Sequence, residues 1–150
     1  MNEYKISKAE SSDLSEIKRI ETECGLSAWS IGAYTAEQKH PDAIMLKAYI
    51  EDGTIVGFLA GRVPAGGEGE ILNIGTAVRF QRRGVGSLLI EEFRSISARR
   101  RVSAIWLEVR SGNAAAIKFY ESHGFVKKGF RPAYYSDPTE NADLMALALI

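Results

Sequence analysis

The sequence predicts an α/β fold of the α+β kind: one mixed sheet of about seven strands, with helices on both faces and a central β-α-β crossover. Three observations predict it. The element order reads βααβββαβαββ, so strands dominate and helices are interspersed among them. Residues 44–51 and 55–63 are strand-like runs joined across Asp52-Gly53, a strong signal for an antiparallel hairpin. The strand before Gln81, the helix from Val85 and the strand at 104–109 form a unit whose right-handed crossover makes part of the sheet parallel.

Each element has its own signal. Tyr4 and Ile6 alternate with polar neighbours as an opening strand. Asp13-Leu14-Ser15-Glu16 reads as a helix-capping start, and Leu14, Ile17, Ile20 and Cys24 follow on one stripe, which places Cys24 in the core. Ser30 can cap a short second helix running toward Gln38. A Pro/Gly-rich loop at 64–69 separates the hairpin from the next strand. Beyond Gly84-Val85-Gly86, the residues Val85, Leu88, Leu89, Phe93 and Ile96 recur at helical spacing. Arg99-Arg100-Arg101 closes that helix, where the dipole favours cations. In the strand at 104–109, Ile105, Leu107 and Val109 share one face, and Glu108 shares the other with Trp106 and Arg110. Asn113 then caps a helix at 114–123, Gly124 stops it, and two strands around 125–131 and 143–150 end the chain.

Length and composition suit a single domain over residues 1–150, with 45% hydrophobic and 25% charged residues. Lys plus Arg equals Asp plus Glu at 19 each, so no overall field calls for nucleic acid or an acidic membrane. With a single cysteine, no signal-peptide pattern and no membrane-span pattern, a cytoplasmic setting is expected. His40 and His123 lack ligand spacing, so no metal is expected.

The run Gln81-Arg82-Arg83-Gly84-Val85-Gly86 lies between a strand and a helix. A helix start carries N–H groups without internal partners and a partial positive charge, which suits an anion. No Gly-Lys-Ser/Thr follows and the run is not G-x-G-x-x-G, so a nucleoside triphosphate or dinucleotide site is poorly supported. The pattern Gln/Arg-x-x-Gly-x-Gly/Ala instead resembles the acetyl-coenzyme A signature of the GNAT acetyltransferase superfamily. Residues 105–125, with "DLSEIKRIE", "AWS" at 28–30, "ILNI" at 71–74, "RPAYYSDP" and "DLMALALI", closely resemble the bacterial ribosomal-protein alanine N-acetyltransferases, its N-terminal acetylating branch.

That resemblance implies the GNAT fold with a mostly antiparallel sheet, and acetyl-coenzyme A as cosubstrate. It implies that Gln81, Arg82, Arg83, Gly84, Val85, Gly86 and Ser87 hold the coenzyme, largely through backbone amides around its pyrophosphate. By the same resemblance Asn113 contacts the pantetheine arm, Glu108 is the general base and Tyr120 the general acid. Trp29, Tyr134 and Tyr135 correspond to an acceptor-side wall that could hold an extended peptide. The implied acceptor is a protein N-terminus, such as that of a ribosomal protein.

The chemistry needs these residue types. An amine must lose a proton before attacking a thioester, so a carboxylate within reach is required. The oxyanion needs donors, for which backbone N–H groups at Ile74, Gly75 and Thr76 are candidates, with Gly75 able to permit a bulge. The departing sulfur needs a proton or a hydrogen bond, which a tyrosine supplies. Each residue also has a plainer use: Glu108 pairing with Arg110, Asn113 capping its helix, Tyr120 packing under Phe125, and the tyrosines packing at a strand edge. A free α-amine with a pKa near 8 costs about 1 kcal/mol to neutralise at pH 7, against about 4.6 for lysine, which favours an N-terminus. Acetylation of a small amine or lysine, and a non-catalytic acyl-coenzyme A module, are the alternatives. One departure stands out. Thr76-Ala77-Val78-Arg79-Phe80 lacks the proline and acidic residue usual in the family, so this turn is less constrained in the unfolded chain.

Overall fold

The computed structural model describes residues 3–26 and 29–149; Ala28 of the family-like run at 28–30, and Ile150, lie outside them. One sheet holds β1 (Lys5–Lys8), β2 (Ala43–Tyr49), β3 (Ile55–Arg62), β4 (Gly69–Thr76), β5 (Ala104–Arg110), β6 (Val126–Tyr135) and β7 (Glu140–Ala148), in the order β1-β2-β3-β4-β5-β7-β6. All neighbours are antiparallel except β4 and β5. The helices are α1 (Leu14–Glu23), α2 (Ile31–Gln38), α3 (Val85–Arg99) and α4 (Ala114–Ser122). The last hairpin lays β7, not β6, beside β5, and β6 extends far enough to carry Tyr134 and Tyr135 at its end.

Helices cover both faces, as close approaches show. A Cβ on Gly57 would meet Val85 Cγ1 at 2.9 Å and one on Gly61 would meet Phe93 Cε1 at 2.6 Å, so α3 lies tight on that face. A Cβ on Gly75 would meet Leu26 and Phe58, on the face of α1 and α2. Ile17, Ile20, Tyr34 and Phe58 are fully buried on the α1/α2 side; Leu89, Ile90, Phe93 and Ile105 are buried under α3.

Several local signals act as the sequence predicts. The Ser30 hydroxyl accepts from Ala33 N–H at 3.0 Å and Asn113 Oδ1 accepts from Ala116 N–H at 3.1 Å, satisfying helix-start donors. Gly124, at φ +93°, ends α4, and Phe125 N–H reaches back to Tyr120 O at 3.1 Å. The start of α1 differs. Asp13 does not cap it; a 3₁₀ turn at Ser11–Asp13 comes first, and Asp13 accepts from Glu10 N–H at 2.7 Å and pairs with Lys47 at 2.9 Å. Cys24 lies just past the end of α1, only partly buried.

The parallel contact is short. Gly69, Glu70 and Ile71 pair with Ile105, Trp106 and Leu107, and there it ends. At that point β4 carries an extra residue, Leu72, because Ala60 pairs with Asn73 while Gly61 pairs with Ile71. The bulge expected at Gly75 sits here instead, since Gly75 keeps regular pairing with Phe58. A bulge bends its strand. Beside it, Asn73 Nδ2 donates to Glu21 Oε2 and to the Tyr34 hydroxyl, both at 3.1 Å. The Glu21 carboxylate, fully buried, also accepts from the Tyr34 hydroxyl, from Trp29 N–H at 3.1 Å and from Lys18 Nζ at 2.7 Å. This network holds β4 to α1 and α2 where it leaves β5.

The contact of α3 with Gly61 yields a direct test. Gly61→Ala should lower stability by about 2 kcal/mol in urea unfolding, because the methyl has to displace both Phe93 and the Glu70 carbonyl. An unchanged midpoint would contradict the packing described.

Candidate active site

Past Ile71 and Leu107 the two parallel strands diverge and bound a cavity of about 710 Å³. The Ala77 N–H donates to Val56 O at 2.9 Å, so residues 77, 75 and 73 of this strand bond β3. By the same alternation, the amides of Ile74 and Thr76 turn the other way, toward the opening. Gly75 does not: its N–H is committed to β3. The Thr76 carbonyl is held by Gln81 Nε2 at 3.0 Å and by Cys24 Sγ at 3.1 Å. Burial raises the Cys24 thiol pKa, which keeps it protonated and ill suited to nucleophilic attack.

The start of α3 forms one wall. Its first ladder bond runs from Leu88 N–H to Gly84 O at 3.1 Å, leaving the N–H groups of Val85, Gly86 and Ser87 without helical partners. Gly84 takes φ +86° and Arg82 takes φ +63°, a left-handed turn that brings the chain sharply into the helix. Arg82, Gly84, Val85, Gly86 and Ser87 line the cavity, whereas Arg83 does not; its guanidinium lies 5.8 Å over the Phe80 ring. Asn113 lines the same cavity from the start of α4.

The altered turn after β4 is braced from outside. Val78 N–H donates to Glu23 Oε1 at 2.5 Å, Phe80 is buried, and Arg79 lies 5.1 Å over its ring. A carboxylate at the end of α1 thus restrains a segment that lacks the family's proline.

Glu108 stands on the face opposite Leu107, the face shared with α1 and α2. It does not pair with Arg110, which binds Glu140 at 3.2 Å and the carbonyls of Ser136 and Pro138, and stacks 4.4 Å over Tyr135. Glu108 Oε1 lies 3.7 Å from Arg131 Nε, while Oε2 is buried with no hydrogen-bond partner among the described residues. A buried acceptor left open in this way is where an incoming donor gains most. Glu70, its neighbour on β4, has a raised pKa because of burial and then the Glu108 charge.

Tyr120 reaches the cavity from α4, its ring edge-on to Phe119 and Phe125. Burial, then the neighbouring Tyr135, pushes its phenol pKa up, so it stays protonated at neutral pH. Tyr135 also lines the cavity and is pushed up to about 12 by burial and the Glu108 charge. Tyr134 packs edge-on against it at 5.0 Å and is half exposed outside the cavity. Trp29 is not brought to the cavity; it packs on Tyr34 at 5.0 Å. Leu26 and Phe119 are lining residues that the sequence does not single out: each is an apolar side chain whose position depends on long-range packing.

A model described as the Acetyltransferase (GNAT) family matches residues 14–125. The ribosomal protein bS18-alanine N-acetyltransferase of Escherichia coli strain K12 is 33% identical over 146 residues, covering 96% of this chain and 97% of that protein. The crystal structure of the ribosomal-protein-S18-alanine N-acetyltransferase from Escherichia coli superposes with a TM-score of 0.88 at 31% identity, covering 98% of this chain and 94% of the other. That of Ard1 from Thermoplasma volcanium gives 0.89 at 29% identity, covering 98% of each.

The carboxylate pair gives a measurable consequence. In Glu108→Gln, loss of the neighbouring charge should lower the Glu70 pKa toward the ordinary carboxylate value, read by NMR titration of its side-chain carbonyl. An unmoved Glu70 would show that the two groups do not sense each other.

Proposed function

We propose that this chain, which belongs to the GNAT acetyltransferase family, acetylates the N-terminal α-amine of a protein, in particular the N-terminal alanine of a ribosomal protein. The chain is an acetyl-coenzyme A-dependent N-acetyltransferase. The observation that carries the mechanism is the open Oε2 of Glu108, set in the same cavity as strand amides turned away from β3.

The residues present fit the coenzyme: a helix start with free N–H groups, a glycine corner and an arginine suit its diphosphate, and the strand opening suits an extended arm. Bound there, acetyl-coenzyme A supplies an activated acetyl thioester. Val85, Gly86 and Ser87 would hold the anion through their amides, with Gln81, Arg82, Arg83 and Gly84 shaping and charging the turn. Asn113, its Oδ1 committed to the cap, has its amide group free to hydrogen-bond the arm.

Glu108 takes the proton from the acceptor ammonium, directly or through water. Arg131 offsets the carboxylate's charge without closing on it, at 3.7 Å. The Ile74 and Thr76 amides, turned away from β3, would donate to an oxyanion at the thioester carbonyl. Tyr120, which lines the cavity, would meet the leaving sulfur. A phenol held above its ordinary pKa is a reluctant acid, so its main contribution is a hydrogen bond that strengthens as charge builds on sulfur. Tyr135, with Tyr134 packed against it, would flank the acceptor's approach, whereas Trp29 lies off the cavity on Tyr34. Transfer is direct, which agrees with the protonated state of Cys24. A cytoplasmic location suits such an acceptor, and no helix among the described residues is long and apolar enough to cross a membrane.

An N-terminus is favoured over lysine by the smaller cost of deprotonation. Thiol release from acetyl-coenzyme A should be rapid with peptides bearing a free N-terminal alanine and slow with the same peptides blocked at the N-terminus but carrying lysine; release with small amines alone would remove the N-terminal reading. Glu108→Gln should lower kcat about 10²–10⁴-fold while coenzyme affinity changes less than about threefold. Activity surviving both Glu108→Gln and Tyr120→Phe would overturn the assigned roles.

A further inference from the structure

We propose that His123 is a coenzyme-positioning residue: it takes up a proton when the coenzyme's diphosphate settles on the start of α3, freeing the Ser87 hydroxyl to donate to that anion. The inference rests on the coenzyme site proposed above.

His123 sits just past the end of α4, its side chain only 12% exposed, and bridges two residues of α3. Its Nε2 lies 2.9 Å from Ser87 Oγ and its Nδ1 lies 3.2 Å from Glu91 Oε1. Ser87 and Glu91 are four apart and so share one helix face, which lets a single imidazole span them. Phe119 fixes the ring from α4, with centroids 5.0 Å apart, and itself lines the cavity.

The hydrogen bonds dictate the protons. An ionised carboxylate only accepts, so Nδ1 carries the hydrogen toward Glu91, and in the neutral ring Nε2 is then an acceptor. Ser87 must donate to it. Its oxygen therefore presents lone pairs among the free amides of the α3 start, the wrong polarity for an anion. A proton on Nε2 reverses the bond: the imidazolium donates to Ser87 Oγ, and the serine hydrogen turns to the diphosphate. Within hydrogen-bonding reach of the ring, Glu91 of α3 is the charged group among the described residues, and Phe119 of α4 is uncharged. An anion at Ser87 adds a second negative charge beside the ring, and the proton on Nε2 answers it. The bound state then holds more protons than the free protein, so affinity falls as pH rises through the imidazole range of about 5 to 8.

Calorimetry of acetyl-coenzyme A binding in two buffers of different ionisation enthalpy reads the proton count, and repeated titrations from about pH 5.5 to about pH 8.5 read the affinity slope. The wild-type protein should take up as much as one proton more than His123→Gln, with affinity falling by as much as about tenfold per pH unit relative to that variant. The variant's own titration subtracts the ionisation of the coenzyme phosphates. Ser87→Ala should keep the fold but lose part of this linkage. Equal proton uptake and equal pH dependence in the wild-type protein and His123→Gln would overturn the proposal, as would an undiminished linkage in Ser87→Ala. A wild-type protein that binds no acetyl-coenzyme A at any pH would instead overturn the coenzyme site itself.

Discussion

The early end of the β4–β5 pairing, at Ile71 and Leu107, is the constraint on which the site depends. Had the parallel ladder continued, the Ile74 and Thr76 amides would bond β5 and the cavity between the strands would close. Backbone polar groups are seldom left open inside a protein, so the break needs support. The extra residue at Leu72 bends β4, and Asn73 ties the bent strand to Glu21 and Tyr34. A carboxylate buried to this degree is stable only when its lone pairs are met, and four donors meet this one.

From that opening the two faces of the sheet take different tasks. On the α3/α4 side, helix-start amides and Arg82 make a surface for an anion. On the α1/α2 side, Glu108 and Glu70 stand among the tyrosines, with Arg131 and Arg110 stacked on the tyrosine rings, and the open Glu108 oxygen is the acceptor offered to an incoming amine. The thioester of a coenzyme lying through the gap would meet an amine arriving from the other side, with Glu108 on β5 and Tyr120 on α4 flanking the gap. The Glu108–Arg131 distance of 3.7 Å leaves the carboxylate available to an incoming donor. A tighter bidentate pair would spend its basicity on the arginine.

Much of this was legible in the residues themselves, wherever the cause is local. Asp52-Gly53, Ser30, Asn113, Gly84 and Gly124 act through their own backbone preferences, and they mark the hairpin, the helix starts and the helix stop. The face of Glu108 follows from strand alternation alone. What was hidden depends on partners distant in sequence. The placement of β7 beside β5 joins strands separated in sequence by α4 and β6, and leaves the exposed, proline-bearing β6 at the sheet edge. The bulge belongs to Leu72 rather than Gly75, next to Asn73, whose side chain is held by Glu21, 52 residues away in sequence. Arg110 turns to Glu140, not Glu108, because β7 brings that acid to it. Asp13 looked like a cap for α1, but a 3₁₀ turn and Lys47 claim its carboxylate. Glu23, which restrains the proline-free turn, could not be assigned until α1 was placed against that turn.

The central claim is direct transfer across the opening between β4 and β5, with Glu108 as base and no acetylated enzyme. Initial-rate kinetics over both substrates, with intact-mass analysis of the enzyme incubated with acetyl-coenzyme A alone, test it most directly. Intersecting double-reciprocal lines and an unmodified enzyme are the predicted result. Parallel lines together with an acetyl group carried on Cys24 would contradict it.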